Sequence, residues 1–437
     1  ELGSLYQLTS LSLSSNPLSG NLPPELGKLY NLGSLSIEDT LITGPIPAEF
    51  AKMRKLSHVW LRNNQLSGSI PPEIGSMEQL RVLRLENNKL SGSLPPELKN
   101  SGLWDLFLTN NQLTGEIPPE IGEMRALEGL MLGNNQLSGE IPDALFNAPL
   151  HYLDLRANKL TGSIPTCIGN GEYLRYLNLS DNQFNGTIPT EIGALKNLRG
   201  LVLAKNQFTG TIPAEIGALG SLLTLNISNN KFEGAIPESI TNLVNLGEYT
   251  NLGYNRLNVP QEEPVQSFLN EKDPDWYLTQ AIQATVPCDS GGEIISRDGR
   301  IEVVIPAEAC DGELDVLLAP FSKPSYAYLP MFWANNGFEL TAWNEQGAVT
   351  QFHKPLGFTL YYADGEIGPL PEEQLAVEMY MEDYRVWSDA INTCPGGEYT
   401  RNVDENWVRL PVCHLTEFGL FNIPEMPFRL YFPMGLK

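Results

Sequence analysis

The 437-residue chain has few of the residues that most often carry out chemistry. It has four His and five Cys, and its 28 Lys and Arg are outnumbered by 52 Asp and Glu. The net charge of −24 excludes a typical nucleic-acid binder, because phosphate binding needs a basic face. No apolar run approaches the roughly 20 residues that a membrane-spanning helix needs. His-Glu-x-x-His, Gly-x-Ser-x-Gly and phosphate-loop motifs are missing, and the His residues have no metal-ligand spacing. The sequence therefore predicts no trans-acting enzyme, no metal and no cofactor.

The few cysteines are unevenly placed. Cys167 stands alone, whereas Cys288, Cys310, Cys394 and Cys413 all lie in the C-terminal part. Four Cys in one region indicate two disulfides and an oxidising compartment, with three possible connectivities. We favour pairing between sequence neighbours, Cys288–Cys310 and Cys394–Cys413. The alternative is four free thiols in a reducing cell.

The first 257 residues repeat one pattern, which the stretch 174–198 shows as LRYLNLSDNQFNGTIPTEIGALKNL. Its leucines cannot all be buried inside one copy, whereas stacked copies bury them in the continuous core of a solenoid. An Asn, replaced by Thr in the second copy, follows each strand-like L-x-x-L-x-L segment. Its amide can satisfy backbone groups of its own coil and the next. These ladder residues are Asn16, Thr40, Asn64, Asn88, Asn111, Asn135, Asn158, Asn182, Asn206, Asn230 and Asn255.

Most copies continue after the ladder residue as L/F-x-G-x-I/L-P, where Gly permits a bend and Pro ends the extended stretch. This form resembles the plant-type leucine-rich repeat of receptor-kinase ectodomains and polygalacturonase inhibitors, over residues 1–257. The resemblance implies a twisted solenoid with a concave parallel β-sheet and short helical turns on the convex side. The opening ELGSLYQL matches ELGKLYNL at 25–32, so we expect an N-terminal segment, with any signal peptide, to precede residue 1 in the natural protein.

The composition changes near Asn258. From there to the end the chain has 28 acidic and 10 basic residues and five of its seven Trp. The acidic, Pro-rich segment 258–284 is predicted to be a cap and linker. Beyond it the period is lost, and short apolar runs separated by Gly and Pro predict an all-β sandwich over 285–437. Its first hairpin is expected to join strands at 293–296 and 301–305.

One motif in this C-terminal part could carry chemistry. Cys413-His414-Leu415-Thr416 resembles the proteolysis site of GAIN-type domains in adhesion receptors. The upstream GGEIISRDGRIEVVIPAEA resembles the related sandwich of ankyrins and netrin receptors. The resemblance implies that His414 takes the proton of the Thr416 hydroxyl, which then attacks the carbonyl of Leu415. The alternative is an ordinary closing strand, because Cys413 lies closer to the His than in the receptors.

The concave face of the repeats presents a second candidate site. The residue between the last two strand leucines points to that face, because strand side chains alternate. In the middle coils this column is large, with Trp60, Arg84, Phe107 and Met131 in succession. Aromatic residues beside Arg are typical of binding hot spots, and the alternative is an ordinary solvated face. The other candidate binding residues are His58, Arg62, Glu86, Tyr152, Asp154 and Arg156.

Taken together, these patterns predict an extracellular or cell-surface recognition protein. Its partner, a protein, a peptide or a glycan, is expected on the concave face of the repeats, with no nucleic acid and no membrane span. The competing hypothesis is a self-processing surface protein that cleaves its own Leu415–Thr416 bond.

Overall fold

The chain folds as two compact units, Glu1–Leu252 with Asn258–Pro274, and Gly253–Leu257 with Asp275–Lys437. A computed structural model describes residues 2–247, 249–258, 260, 263–274, 276–297, 299–321, 332–344, 347–349, 351–361, 375–381, 386–389, 400–402, 407–414 and 417–422.

The first unit is a stack of coils, which we number 1 to 11 by their ladder residues. Each of coils 1 to 10 contributes one three-residue strand to a parallel sheet in the order of the sequence. The register moves by one repeat per strand, so that Leu35 lies opposite Leu11 on one side and Val59 on the other. The predicted parallel sheet is therefore present. Its strands are Ser10–Ser12, Ser34–Ser36, His58–Trp60, Val82–Arg84, Asp105–Phe107, Gly129–Met131, Tyr152–Asp154, Tyr176–Asn178, Gly200–Val202 and Thr224–Asn226.

A second set of parallel strands follows the ladder residues on the flank of the coils. Gly68 ends one of these strands with φ +78°, a conformation that residues with a side chain rarely adopt. The strands of this flank are Ser19–Asn21, Leu41–Gly44, Gln65–Gly68, Lys89–Gly92, Gln112–Gly115, Gln136–Gly139, Lys159–Leu160, Thr209–Gly210 and Lys231–Gly234.

Short 3-10 helices complete the coils, as the plant-type pattern predicts. Pro71 is extended (φ −64°, ψ 129°) and Pro72 begins the next helix, where a missing N–H leaves no hydrogen bond unmade. The N–H of Met77 then closes this helix onto the carbonyl of Ile74. The helices are Leu2–Ser4, Pro24–Lys28, Ala48–Lys52, Pro72–Ser76, Pro96–Asn100, Pro119–Glu123, Asp143–Asn147, Thr166–Asn170, Thr190–Ala194, Ala214–Ala218 and Glu238–Asn242.

The ladder Asn side chains join adjacent coils. The amide of Asn182 donates to the carbonyl of Leu179 in its own coil (3.2 Å) and to that of Leu155 in the coil before it (2.9 Å). Its Oδ1 accepts the N–H of Leu160, also in the preceding coil (3.1 Å). The predicted pairing is present, but the neighbour is the preceding coil rather than the next.

Segment 258–284, predicted as a cap and linker, contains an α-helix, Glu263–Lys272. Val265 and Leu269 lie one helical turn apart on its buried face. The prediction of a linker rested on the Pro-rich, acidic composition of the segment and did not consider this amphipathic pattern. The division into repeats, linker and C-terminal domain at 257 and 284 stays a prediction.

The second unit contains two antiparallel sheets. One has the strand order Ile282–Pro287, Glu313–Phe321, Phe332–Asn344, Glu417–Asn422, Leu375–Met381 and Val386–Asp389, with Gly347–Ala348 paired to the third of these. The other has the order Gly292–Ile295, Ile301–Ile305, Gln351–Tyr361, Trp407–His414 and Thr400–Asn402. The short strand Arg256–Leu257 also belongs to this unit.

Two local predictions for this unit are confirmed. Gly292–Ile295 pairs antiparallel with Ile301–Ile305, so the hairpin is present. Cys288 and Cys310 form a disulfide, with their Cα atoms 5.2 Å apart. Cys288 is buried in an apolar cluster that also contains Val303 and Phe358, each 0% exposed. The cluster draws on strands of both sheets.

Candidate functional site on the concave sheet

The concave column forms a straight line of side chains across the middle of the solenoid. Trp60 lies opposite Arg84, Arg84 opposite Phe107, Phe107 opposite Met131, and Met131 opposite Asp154 in the strand register. The strands are parallel and about 4.8 Å apart, so these five residues extend over about 19 Å. Trp60, Arg84, Phe107 and Met131 are each half-buried.

Ring contacts involve Trp60, Arg84 and Phe107, the first three residues of this column. The ring centroids of His58 and Trp60 are 5.2 Å apart, and the hydroxyl of Ser57 lies 2.8 Å from Nδ1 of His58. The guanidinium of Arg84 lies over the ring of Phe107, with Cζ 4.8 Å from the ring centroid. Such a cation–π contact contributes about 0.5–1 kcal/mol at an exposed site and more when it is desolvated. These contacts hold the large side chains in place before any partner binds.

Charged residues alternate in the neighbouring column. Nε of Arg62 lies 2.7 Å from Oε1 of Glu38 in the preceding coil, and Glu86 occupies the same position in the following coil. Burial raises the pKa of the Glu86 carboxyl, although its own backbone N–H and the charges of Arg84 and Arg62 lower it. Among the described residues, Nε of Arg84 and Oε2 of Glu86 are buried polar atoms without a hydrogen-bond partner. A donor at the end of the strand Val82–Arg84 and an acceptor two residues after it therefore lie desolvated and unpaired.

The other predicted residues of this face, in coil 7, have different environments. Tyr152 is 43% exposed, whereas Asp154 is only 6% exposed. Oδ1 of Asp154 accepts the backbone N–H of Arg156 at 3.1 Å, and its Oδ2 lies 3.6 Å from Nε of the same Arg. Burial raises the pKa of Asp154, with both contacts of Arg156 acting in the opposite direction. Asp154 thus holds Arg156, and Arg156 and Tyr152 are both exposed.

Sequence reasoning missed two residues that support this face. Glu38 pairs with Arg62, and Ser57 lies against His58. Glu38 stands one repeat before Arg62, so the column that contains Arg62 would have identified it. Ser57 is outside the strand, and its contact depends on the turn of the backbone.

The predicted self-cleavage site receives no structural test. His414 ends the strand Trp407–His414, and Leu415 and Thr416 lie outside the described residues. Cys394 also lies outside them, so its pairing with Cys413 stays a prediction. In the described part of the chain, no group of His, Cys, Asp and Glu is arranged to hold a metal ion. No helix among the described residues combines the length and the apolar character that crossing a bilayer requires.

Comparisons with known proteins concern the repeats. The leucine-rich-repeat family model matches residues 148–208, and a shorter model of the same repeat matches 7–29, 55–77, 79–101, 102–124, 126–148 and 221–243. No curated protein matches the chain. The matched segments of the family models all lie before residue 257, so the resemblance of the C-terminal part to GAIN-type, ankyrin and netrin-receptor domains has no support from them.

Solved structures similar to the chain include receptors. One contains the Arabidopsis receptor kinase HAESA with the peptide hormone IDA and the co-receptor SERK1 (35% identity, TM-score 0.58, 61% of this chain and 45% of that one). Another is a TDR receptor (35% identity, TM-score 0.57, 59% of this chain and 45% of that one). A third is PEPR1-AtPEP1 (38% identity, TM-score 0.54, 59% of this chain and 39% of that one). The chain spans less than half the length of these three structures. The repeat pattern, the solenoid and these similarities together show that the N-terminal part of the chain contains leucine-rich repeats, similar to those of plant receptor kinases.

Proposed function

We propose that the repeats form an extracellular recognition module whose concave face binds an extended peptide. The line from Trp60 to Asp154 is about 19 Å long, which matches about six residues of extended chain at a rise of about 3.3 Å each. The similar solved structures include a peptide hormone receptor in complex with RGF2 and the receptor kinase HAESA in complex with the peptide hormone IDA. Among the partner classes that the sequence leaves open, this supports a peptide over a glycan.

The observation that carries the proposal is the unpaired donor and acceptor two residues apart in coil 4, at the end of the strand Val82–Arg84 and just after it. Nε of Arg84 and Oε2 of Glu86 are buried without partners, between the large side chains of Trp60 and Phe107. Leaving such a group unsatisfied costs about 1–3 kcal/mol. An extended peptide offers both a carbonyl and an N–H, so one segment can pair with both atoms. Its side chains then cover the aromatic rings.

The Cys288–Cys310 disulfide supports the extracellular placement, because such bonds persist in oxidising compartments. For the second unit we infer a β-sandwich that acts as a spacer or attachment module. Its two antiparallel sheets share one buried apolar cluster, which is the arrangement that a sandwich needs.

The test is peptide selection followed by calorimetry. A phage-displayed library of random peptides is selected on the full chain, and the selected peptides are synthesised. Trp60→Ala and Phe107→Ala should each weaken their binding by about 2 kcal/mol or more, the loss typical of a hot spot. Tyr30→Ala is the matched control, because Tyr30 is a large side chain, 54% exposed, outside the column. Unchanged affinity in both column variants would show that the peptides bind elsewhere.

A further inference from the structure

Three Asn-x-Ser/Thr sequences, the acceptor motif for N-linked glycans, lie beyond the concave candidate residues. They begin at Asn178 and Asn185 in coil 8 and at Asn226 in coil 10. The motif alone does not distinguish them. Their side chains, however, have different partners and different exposure in the folded chain.

The side chain of Asn178 is buried and hydrogen-bonded within the folded chain. It is 4% exposed, and its Oδ1 accepts hydrogen bonds from the backbone N–H (3.0 Å) and the hydroxyl (2.7 Å) of Ser180. Its Nδ2 lies 3.2 Å from the hydroxyl of Tyr176. A sugar on this nitrogen has no room on the concave sheet and would break these bonds.

Asn226 repeats that arrangement two coils later. Its Oδ1 accepts the backbone N–H (3.1 Å) and the hydroxyl (2.8 Å) of Ser228, which is itself 3% exposed. In both motifs the amide and the hydroxyl of the acceptor sequence bind each other. They are therefore part of the structure of the sheet.

Asn185 has the opposite character. It is exposed, and within the described part of the chain its side-chain amide makes no hydrogen bond, while its backbone N–H donates to the carbonyl of Gly162 at 2.8 Å. Gly186, with φ +72°, bends the chain directly after it, and Thr187 is exposed. Asn185 follows the ladder residue, so it lies on the flank of the coil rather than on the concave sheet.

We propose that Asn185 carries an N-linked glycan in the secreted protein, and that Asn178 and Asn226 stay unmodified in the folded chain. In the transfer, the amide nitrogen of Asn185 attacks the anomeric carbon of a lipid-linked oligosaccharide. The C–O bond to the lipid diphosphate breaks, an N–C bond forms, and the amide proton leaves with the diphosphate. The transfer precedes folding, and the fold then rejects chains with a sugar at Asn178 or Asn226, because those chains cannot form the Ser180 and Ser228 hydrogen bonds. The glycan on the flank leaves the concave face open.

The experiment uses the full chain, secreted from a eukaryotic cell line and purified as a folded monomer. Peptide N-glycosidase in heavy-oxygen water converts each glycosylated Asn to a labelled Asp, which peptide mass spectrometry locates. Label at Asn185, and none at Asn178 or Asn226, is the expected result. Asn185→Gln and Thr187→Ala should each remove the glycan mass, whereas the control Ser180→Ala should leave it. An unlabelled Asn185 in secreted protein, or label at either of the other two positions in the folded monomer, overturns the proposal.

Discussion

Oδ1 of Asn88 accepts a hydrogen bond from the backbone N–H of Leu66, one coil earlier, at 2.9 Å. Nδ2 of the same side chain donates to the carbonyl of Leu61 in that coil (2.9 Å) and to that of Leu85 in its own coil (3.0 Å). Asn88 is 8% exposed, so water does not offer these backbone groups an alternative. One amide thus connects two coils at a place where the strand ladder ends.

Replacing Asn88 by Leu should destabilise the solenoid by about 1–3 kcal/mol for each backbone group left without a partner. Urea unfolding followed by circular dichroism measures the loss. Asn16→Leu is the matched control, because Asn16 is exposed and its amide donates only to Leu13 and Ser14 of its own coil. Equal losses at the two positions would contradict the role of the inter-coil bonds.

The second coil has Thr40 at the ladder position, and its bonding is incomplete. The Thr40 hydroxyl donates to Oδ1 of Asn64, and the N–H of Ile42 reaches only the Thr40 hydroxyl, at 3.4 Å. Thr40→Asn should free Oδ1 of Asn64 for Ile42 and add a donor to the carbonyl of Leu13. A net gain of about 0.5–1.5 kcal/mol per hydrogen bond is expected. Slower hydrogen exchange at Ile42 and a higher urea midpoint check this, and an unchanged midpoint would refute it.

The repeat sequence predicts much of this fold because every coil has the same residue types at the same spacing. The ladder positions, the concave column and the 3-10 turns all follow from a fixed spacing. The direction of the ladder bonds does not follow from it, because an Asn amide at the end of a strand can reach either neighbouring coil. The helix Glu263–Lys272 was also missed, since a segment containing Pro264 and several acidic residues favours an irregular linker over a helix.

Within the candidate site, sequence reasoning places the column residues side by side on one sheet, as the strand register shows, but does not give their burial. Asp154 and Tyr152 lie two positions apart on one strand and both were expected to meet a ligand. Asp154 turns instead onto Arg156, and Tyr152 stays exposed. The unpaired atoms of Arg84 and Glu86 are likewise invisible in the sequence, because they depend on how neighbouring side chains exclude water.

The carboxyl of Glu86 should make the stability of the repeats depend on pH. Its pKa in the folded chain is raised above the usual 4.5, chiefly by burial. Between the usual pKa and the raised pKa, the folded state therefore binds more protons than the unfolded state. The free energy of unfolding falls as pH rises through that range. Glu86→Gln removes this dependence. The variant should match the wild type below the usual pKa and be more stable at neutral pH, as urea unfolding across this range would show. A difference that is constant with pH would argue against a desolvated carboxylate.

The helices on the convex side pack so closely that some positions exclude even a methyl group. A Cβ on Gly122 would overlap the carbonyl of Ala144 in the next coil, and the backbone there cannot move aside without disturbing that coil's helix. Gly122→Ala should therefore destabilise the solenoid by about 1–3 kcal/mol, as overpacking usually does. The loss is measured by urea unfolding.

Gly220 provides the matched comparison for this last prediction. Gly122 lies inside the helix Pro119–Glu123, whereas Gly220 follows the helix Ala214–Ala218. A Cβ on Gly220 would have no atom within 4 Å, and its φ is outside the left-handed region. Gly220→Ala should consequently be neutral, or stabilise by about 0.4–1 kcal/mol through reduced freedom of the unfolded chain. The two variants make the same chemical change, one inside a 3-10 helix and one just after such a helix. Equal destabilisation by both would contradict a cost that comes from the contact between coils.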